Sequence, residues 1–341
     1  MNFLGFAFPL ALLVAVELTT LTWAATNVTK TSGKDYDEQG EHLGEQPVRR
    51  VVPACDLDSF SLGDKKPTFP EQPGVTLPLC PDNQYAIFYN NNWGIAQYTL
   101  YKITAAQALE AKTNPVPRPN DPWQQDNTPG KLIRIRQGSS ALYQNQPFPG
   151  RYHKGHLVPV NILRYSDESV LATFTYTNCV PQIGNFNSGQ WLKYELKIGI
   201  YAQDYCAPKG GTLYLITGTS QVKFNEKLNL QGEIIRVDKS VKPMEGFHGN
   251  VDVHQKIAIP NSMWTVGCCL NLNTNQVVGA FGVMGDNSLD KKPLNKFMMS
   301  QQNVAYVEST LKLEDPTIKL FPNGKDCYMP QKNVKLNEIH R

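Results

Sequence analysis

Strong net charge, internal repeats and low-complexity tracts are all missing from this 341-residue sequence. The formal net charge is only +3, so overall charge gives weak support for a polyanionic partner. The absence of repeats and biased tracts argues against a repeat protein and against compositional disorder. With 41% hydrophobic and 18% charged residues, the chain has the composition of a folded globular protein that can bury a large core.

Long apolar runs are also scarce, and the one that is present lies at the start of the chain. Residues 1–25 are rich in Leu and Phe and end in two small residues, Ala24 and Ala25, which is typical of a secretory signal peptide. Because Lys and Arg are missing from the first residues, an uncleaved anchor is the alternative, although the run is shorter than the ~20 residues of a membrane span. We expect a secreted, extracellular protein with no membrane partner.

No Cys-x-x-Cys pair occurs among the seven cysteines, which argues against a zinc ribbon or a thiol redox motif. This cysteine content fits an oxidising compartment, and we expect two or three disulfides and at least one free thiol. Cys55 and Cys80 are predicted to form a local pair, whereas the other connectivities stay open. Cys268 and Cys269 cannot easily bond to each other, so at least one of them should pair elsewhere.

A polar segment precedes the more apolar part of the chain. Residues 26–54 carry Asn27, the acceptor of the only Asn-x-Ser/Thr sequon and a predicted glycosylation site, and they include the pair Arg49-Arg50. The segment is predicted to be a flexible leader, either a propeptide cut after the arginines or a retained tail. Residues 55–330 are expected to form one domain, and residues 331–341 a C-terminal tail.

The predicted elements are short strands separated by turns rich in Pro and Asn, together with two stretches of helical spacing. Because strands and helices do not alternate regularly, their order favours an α+β fold over a βαβ repeat. Strands are expected at residues 85–89, 96–103, 172–177, 212–217, 262–270 and 276–283, and helices at residues 188–200 and 304–311.

A basic stretch at residues 132–136 alternates isoleucine with arginine. On a strand, Arg134 and Arg136 would extend from the same face, and this face is predicted to contact a polyanionic substrate. The alternative is an ordinary solvated strand face.

The residues His153-Lys154-Gly155-His156 place two imidazoles and an ammonium around one glycine. Glycine lets the backbone approach a ligand closely, lysine provides a point charge suited to phosphate, and histidine titrates near neutral pH. By itself this motif is weak, since two histidines at this spacing also occur by chance or as half of a metal site. A zinc hydrolase is disfavoured because no third ligand follows at a recognisable spacing.

Further along the chain, Asn178 opens the run Asn-Cys-Val-Pro-Gln, and Asn187, Trp191 and Glu195 follow at intervals of four. On a helix, Asn187 and Glu195 would lie about 80° apart around the axis and roughly 12 Å apart along it. A hard cation such as Mg²⁺ keeps several waters and needs few protein ligands, so it suits this arrangement. Asn187 would bind it directly, and Glu195 through metal-bound water.

In order and spacing, these motifs resemble those of the DNA/RNA non-specific endonucleases, the ββα-metal nucleases. The family motifs are usually Asp-Arg-Gly-His, then Asn-x-x-Pro-Gln, then Asn-x-x-x-Trp-x-x-x-Glu, and the resemblance extends from about Tyr85 to Phe321. It implies a ββα-metal nuclease fold with a central, mostly antiparallel sheet flanked by helices. It also implies an endonuclease that hydrolyses the phosphodiester bonds of DNA, RNA or both.

Two positions depart from the family pattern, because His153 and Lys154 stand where aspartate and arginine are usual. Lysine before Gly-His resembles the secreted animal branch, with arthropod double-strand-specific and double-stranded-RNA nucleases and endonuclease domain-containing 1 proteins. The exchange changes the phosphate contact, because an ammonium cannot form the bidentate fork of a guanidinium. No family role transfers to His153.

The resemblance implies a role for each matched residue. His156 would be the general base that takes a proton from the attacking water, and Asn187 would hold a single divalent ion, Mg²⁺ or alternatively Mn²⁺. Glu195 would orient waters on that ion, one of which protonates the leaving group. Asn178 would orient the site, and Lys154 would neutralise the scissile phosphate. Arg118 would be the upstream arginine that binds substrate.

Two functions from different classes follow. The first is the secreted metal-dependent endonuclease, supported by His156, Asn187 and Glu195. The second is a catalytically impaired, nuclease-like extracellular binding or matrix protein, supported only by the loss of the usual Asp-Arg pair. The expected partner of the endonuclease is nucleic acid. The sequence is compatible with a homodimer as well as with a monomer.

Overall fold

The structure is a computed structural model that describes residues 55–73, 75–126, 135–145, 151–224, 234–237, 242–243, 257–287 and 299–339. For residues 223–224, 234–237, 242–243 and 300 only the backbone is described. The predicted signal peptide and leader, the sequon at Asn27 and the basic residue Arg134 lie outside these ranges. Within the described ranges, no helix has the length and apolar character that a membrane crossing requires.

Seven antiparallel strands form the central sheet. In spatial order they are β1 (Thr76–Leu79), β2 (Ala86–Asn90), β3 (Ile95–Ile103), β6 (Gly211–Ser220), β11 (Ser262–Asn271), β12 (Gln276–Asp286) and β13 (Met299–Gln302). Three antiparallel pairs lie outside it: β4 (Tyr152–His156) with β5 (Cys179–Ile183), β7 (Val222–Phe224) with β8 (Ile234–Val237), and β9 (Lys242–Pro243) with β10 (Ala258–Ile259).

Five α-helices are described: α1 (Ala105–Thr113), α2 (Ser140–Gln144), α3 (Asp167–Ala172), α4 (Leu192–Ile200) and α5 (Val304–Leu311). Local sequence explains where several of them begin. Thr104 and Ser166 form capping boxes at α1 and α3, and Ser139 and Asn303 accept hydrogen bonds from the first turns of α2 and α5. Each such cap stabilises a helix end by about 1 kcal/mol.

Helix α4 is extended at both ends by wide π-type turns, Phe186–Trp191 before it and Tyr201–Cys206 after it. The chain departs from helical geometry inside the first turn at Gly189. The helix predicted at residues 188–200 is therefore confirmed, with an irregular entry that spacing alone does not indicate. Such π-turns often occur at functional sites.

Side chains alternate between two apolar layers along the central strands. In β6, Leu213 and Leu215 belong to the layer that contains Trp191 and Ile198 from the α4 region. The intervening Tyr214 and Ile216 belong to the layer on the opposite face, which contains Val304, Val307 and Leu311 of α5. The sheet is thus covered on both faces, which explains why all ten residues of β6 are buried.

Three disulfides occur in the described chain, as expected from the cysteine content. Cys55–Cys80 confirms the predicted local pair, and Cys206–Cys269 and Cys268–Cys327 show that both adjacent cysteines pair elsewhere. Because neighbouring strand residues point to opposite faces, Cys269 fixes the end of the α4 region on one face of β11. Cys268 fixes the C-terminal segment on the other. Cys179 is buried and free.

The α+β prediction is confirmed, and so are the strands expected at residues 85–89, 96–103, 212–217, 262–270 and 276–283 and the helix at residues 304–311. The strand expected at residues 172–177 is wrong. Helix α3 ends at Ala172 and a tight turn follows at Tyr176–Asn178. The Asn178 side chain closes this turn by donating to the Thr173 carbonyl at 2.9 Å.

The strand expected at residues 132–136 is not formed at its described end. Ile135 and Arg136 lie in an irregular segment, where the Arg136 amide donates to Asn91 Oδ1 at 2.8 Å rather than to a neighbouring strand. The sequence prediction also missed α1, whose start is set by the capping box at Thr104.

Candidate active site

The predicted site residues lie on a hairpin and the helix that follows it. Strands β4 and β5 pair antiparallel, with His156 opposite Cys179 and Lys154 opposite Pro181. The chain then enters the π-turn with Asn187 and helix α4 with Glu195. Because strand side chains alternate, Lys154 and His156 share one face of the hairpin, and His153 and Gly155 share the other.

Glycine is required at position 155 because the Gln182 side chain lies directly over it. A Cβ atom added at Gly155 would lie 2.3 Å from Gln182 Cδ and 2.4 Å from Gln182 Cγ. Gln182 is buried, so its side chain has little room to move away. Gly155 and Gln182 therefore depend on each other, because the Gln182 side chain occupies the space that a side chain at position 155 would need.

Gly155→Ala is expected to lower the free energy of unfolding by about 1–3 kcal/mol, the usual range for overpacking a dense site. Combining it with Gln182→Ala should restore part of that loss, since the clashing atoms are removed. Gly199→Ala in α4 is the control, because its added Cβ would meet only the Asn161 carbonyl at 3.7 Å. Chemical denaturation measures these three variants, Gln182→Ala alone and the wild type, and additive effects of the two single changes in the double mutant would contradict the pairing.

The imidazole of His156 is buried, with 8% of its surface exposed, and it lies between two aromatic rings. The Trp123 ring centroid is 4.5 Å away and that of Phe174 is 5.0 Å away in an edge-on arrangement. Nε2 is buried and has no hydrogen-bond partner in the described chain. Burial, with smaller contributions from Arg118 and Lys154, lowers the pKa of His156 to about 3. The ring is therefore neutral at physiological pH, the form that a general base requires.

The lowered pKa of His156 makes stability depend on pH. The unfolded chain takes up this proton near pH 6.5 and the folded protein only near pH 3, so this contribution is present above pH 6.5 and lost as the pH falls towards 3. Between pH 7.5 and 4.5, we expect the wild type to lose about 2–3 kcal/mol more unfolding free energy than His156→Gln. Urea denaturation at both pH values measures this difference, and parallel losses would contradict the buried neutral ring.

The Lys154 ammonium has partners from a loop far away in sequence. Its Nζ lies 2.6 Å from Asp121 Oδ1 and 5.7 Å from the centroid of the Trp123 ring. Neither Asp121 nor Trp123 belongs to a motif that we identified from sequence. A signal was present, since Asp121-Pro122-Trp123 follows Arg118 closely in a loop rich in proline.

Arg118 also reaches this site. Its guanidinium carbon lies 5.3 Å from the centroid of the Phe174 ring, which in turn contacts His156. Its positive charge lowers the pKa values of both His156 and Glu195. Arg118 is therefore close to both groups, as an upstream arginine that contacts substrate would be.

Glu195 is half-buried on α4. Burial raises its pKa to about 8, and the Trp191 side chain and the positive charge of Arg118 oppose part of this shift. A carboxylate whose charge is poorly solvated is stabilised by a nearby cation. Metal binding by Glu195 stays a prediction.

Asn187 is half-buried, and its Nδ2 lies 3.5 Å from Nδ1 of His153. With its nitrogen turned to His153, the amide presents its oxygen, the atom that a hard cation prefers. No group of three or more His, Cys, Asp or Glu residues that could hold a metal occurs in the described ranges. Oxygen ligands such as the Asn187 amide and the Glu195 carboxylate are the type that a hydrated Mg²⁺ accepts, and their role as metal ligands stays a prediction.

Asn178 is fully buried, and its side chain bonds only to the main chain. Its Oδ1 accepts from the Val158 amide at 2.9 Å, and its Nδ2 donates to the carbonyls of Val158 and Thr173. It ties the start of β5 to the chain just after His156. This geometry suits the predicted orienting role.

Asn287 has a comparable role that the sequence did not indicate. Its Oδ1 accepts from the Ile183 amide, and its Nδ2 donates to the carbonyls of Pro181 and Pro260, each at 2.9 Å. These bonds fix β5 to the end of the central sheet. No sequence motif marks this residue, which lies just beyond β12.

The predicted basic face is described only at Arg136. Its Nη1 donates to the Asn92 carbonyl at 2.8 Å, and its own carbonyl accepts from the Tyr89 hydroxyl at 2.7 Å. Arg136 is thus attached to the turn between β2 and β3. Substrate contact by Arg136, and by Arg134 outside the described residues, stays a prediction.

Comparison with known proteins finds a family model, a related sequence and similar solved structures. The family model described as DNA/RNA non-specific endonuclease matches residues 71–316. A nuclease of Nostoc sp. is 25% identical over 234 residues, which cover 66% of this chain and 68% of that protein. A chain in the crystal structure of the EndoG/EndoGI complex matches with a TM-score of 0.51 at 17% identity, covering 78% of this chain and 89% of that chain. The structural likeness supports the predicted α+β nuclease fold.

Proposed function

Because the chain belongs to the DNA/RNA non-specific endonuclease family, we propose that it is a secreted, divalent-metal-dependent endonuclease that cleaves DNA, RNA or both, with His156 as general base. One observation carries this proposal. A buried, neutral imidazole lies beside Lys154 and within the influence of Arg118, on the hairpin that leads into the helix bearing Glu195.

In the proposed reaction, His156 accepts a proton from a water that attacks the phosphorus. Its ring is available for this step because burial keeps it neutral. Contacts with Trp123 and Phe174 restrict the orientation of the ring, so little freedom is lost when the water is bound. Proton transfer to a positioned base contributes about 10²–10⁴-fold to rate.

The negative charge that grows on the phosphate is stabilised by Lys154 and Arg118. Both are cations near the base, since each lowers the pKa of His156. Fixed charges that face developing charge are worth more in a site with little water than on an open surface. Asn178 contributes indirectly, by fixing the main chain next to His156.

The family is divalent-metal dependent, and we propose Mg²⁺, with Mn²⁺ as the alternative, held by Asn187 and the carboxylate of Glu195. When bound, the ion supplies Lewis-acid stabilisation of the phosphate and of the departing oxygen. Its positive charge would also favour the ionised form of Glu195.

Secretion is the second part of the proposal. Three disulfides in the described chain support an oxidising destination. Lysine before Gly-His supports the secreted animal branch of the family. A cell line expressing the full chain should release the oxidised protein into its medium, and retention of reduced protein inside the cell would contradict this part.

The test of the enzymatic proposal is digestion of supercoiled plasmid and of double-stranded RNA by the purified chain. We expect nicked and then linear plasmid, shortened RNA, or both, with Mg²⁺ present and a 5′-phosphate on the products. EDTA should stop the reaction. If both substrates stay intact over a broad range of pH and salt, the catalytically impaired binding protein becomes the better account of the exchanged residues 153 and 154.

A further inference from the structure

The loop that precedes α2 brings two unassigned side chains to the ammonium of Lys154. Asp121 Oδ1 lies 2.6 Å from Lys154 Nζ, and the Trp123 ring centroid lies 5.7 Å from it. Both are within the range of direct charge–charge and cation–π attraction. The Lys154 side chain is 21% exposed and that of Asp121 is 60% exposed, so solvent and a ligand can reach the pair.

A lysine at this position must be held in place by neighbouring side chains to a greater extent than an arginine. A guanidinium is planar and presents a rigid fork to phosphate, whereas an ammonium is a point charge on a flexible four-carbon stem. Fixing such a stem costs more conformational entropy for each hydrogen bond formed. A lysine that must meet a phosphate at one point therefore benefits from partners that already hold it there.

The loop is itself well anchored, so it can act as a fixed support. The Gln124 amide donates to the Phe174 carbonyl at 2.9 Å, and the Tyr176 amide donates back to the Gln124 carbonyl at 3.0 Å. The Val116 amide donates to the Arg164 carbonyl at 3.0 Å. Asp121 has a left-handed backbone (φ 45°), which aspartate tolerates better than most residues.

We propose that Asp121 and Trp123 are positioning residues for Lys154, which hold its ammonium where the scissile phosphate binds. This proposal rests on the proposed nuclease function. An ammonium has three donors, so one bond to Asp121 leaves others for phosphate oxygens. Trp123 contacts Lys154 and His156 at once, so it sets the spacing between the cation and the base.

The proposal predicts opposite effects on binding and on turnover. The Asp121 carboxylate repels a polyanion, so Asp121→Asn should lower KM for nucleic acid. The same change releases the ammonium, so kcat should fall by about 10-fold, the value of one charged hydrogen bond. A residue needed only for folding would not improve binding while it slows turnover. Asparagine has the same shape and also tolerates the left-handed backbone.

The decisive comparison repeats Asp121→Asn in a Lys154→Arg background. Because arginine brings its own rigid fork, kcat should then change by less than about 3-fold. Glu71→Gln is the matched control, because it breaks an exposed ion pair of the same length, 2.6 Å to Lys66. An equal loss of kcat in both backgrounds, or a gain of kcat in Asp121→Asn, would overturn the proposal.

A second readout does not depend on turnover. In a sample with ¹⁵N-labelled lysine, the held ammonium of Lys154 should give a slowly exchanging Nζ signal that Lys154→Arg removes and thereby assigns. Asp121→Asn should broaden or remove this signal, and Glu71→Gln should leave it intact. If the wild type shows the signal but cuts no nucleic acid, the nuclease proposal fails, whereas the proposal that Asp121 holds the Lys154 ammonium is supported. If the signal is missing in the wild type, Asp121 does not hold the Lys154 ammonium, and the positioning proposal fails whatever the activity.

Discussion

His156→Ala is expected to lower kcat for phosphodiester hydrolysis by about 10²–10⁴-fold, because the step that activates water loses its positioned base. The affinity for nucleic acid should change little, since Lys154 and Arg118 keep their charges. Initial rates of plasmid nicking and of double-stranded RNA cleavage give kcat, and binding in EDTA gives the affinity. Wild-type activity in the alanine variant would remove His156 from the mechanism.

A rescue experiment separates loss of the base from loss of the fold. Alanine leaves space between the rings of Trp123 and Phe174, which flank the imidazole in the wild type. Added imidazole should enter this space and raise the activity of His156→Ala in a saturable way. Lys154→Ala is the matched control, because it impairs the same site but keeps the base, so imidazole should not restore it.

Asn187→Ala should lower activity by about 10²–10⁴-fold, because its amide oxygen is the proposed direct ligand of the metal. The apparent dissociation constant for Mn²⁺, measured by electron paramagnetic resonance, should rise in parallel. Asn187→Asp keeps an oxygen ligand and should retain metal binding. Gln190→Ala, an exposed change in the same turn, should leave both properties unchanged.

The metal experiment has a clear opposite outcome. If Asn187→Ala binds Mn²⁺ as tightly as the wild type, the ion is held by other residues. If EDTA leaves the wild-type rate unchanged, this chain departs from the metal dependence of its family. In the expected case, activity lost in EDTA returns when excess Mg²⁺ is added to the wild type but not to Asn187→Ala.

Much of the site could be predicted because its residues lie in short, ordered segments. Asn187 and Glu195 share a helical stretch that was largely predicted, whereas strand β4, which carries Lys154 and His156, was not; those two residues were identified from their short motif alone. The five inner strands of the central sheet, β2, β3, β6, β11 and β12, were also predicted, since their apolar residues and bounding turns are encoded locally, whereas the short edge strands β1 and β13 were missed. The fold class followed from the order of these elements.

The contacts that depend on distant residues could not be predicted in the same way. Asp121 meets Lys154 across 33 positions, and Asn287 meets Pro181 across 106, so neither pair leaves a local pattern. Residues 172–177 were misassigned for a related reason. Their threonines favour a strand, but the buried Asn178 side chain holds a turn there by donating a hydrogen bond to the Thr173 carbonyl.

Because the adjacent cysteines in β11 point to opposite faces of the sheet, their disulfide partners report which face each residue of the strand occupies. Cys269 can meet Cys206 and Cys268 can meet Cys327 only while odd and even positions of β11 face their present layers. A slip of the strand by one residue would exchange the two faces and bring each thiol to the wrong partner. Partial reduction with alkylation of the released thiols, read by fragment-ion mass spectrometry, assigns a partner to each of the two adjacent cysteines and therefore distinguishes the native alignment of the central sheet from its nearest misalignment.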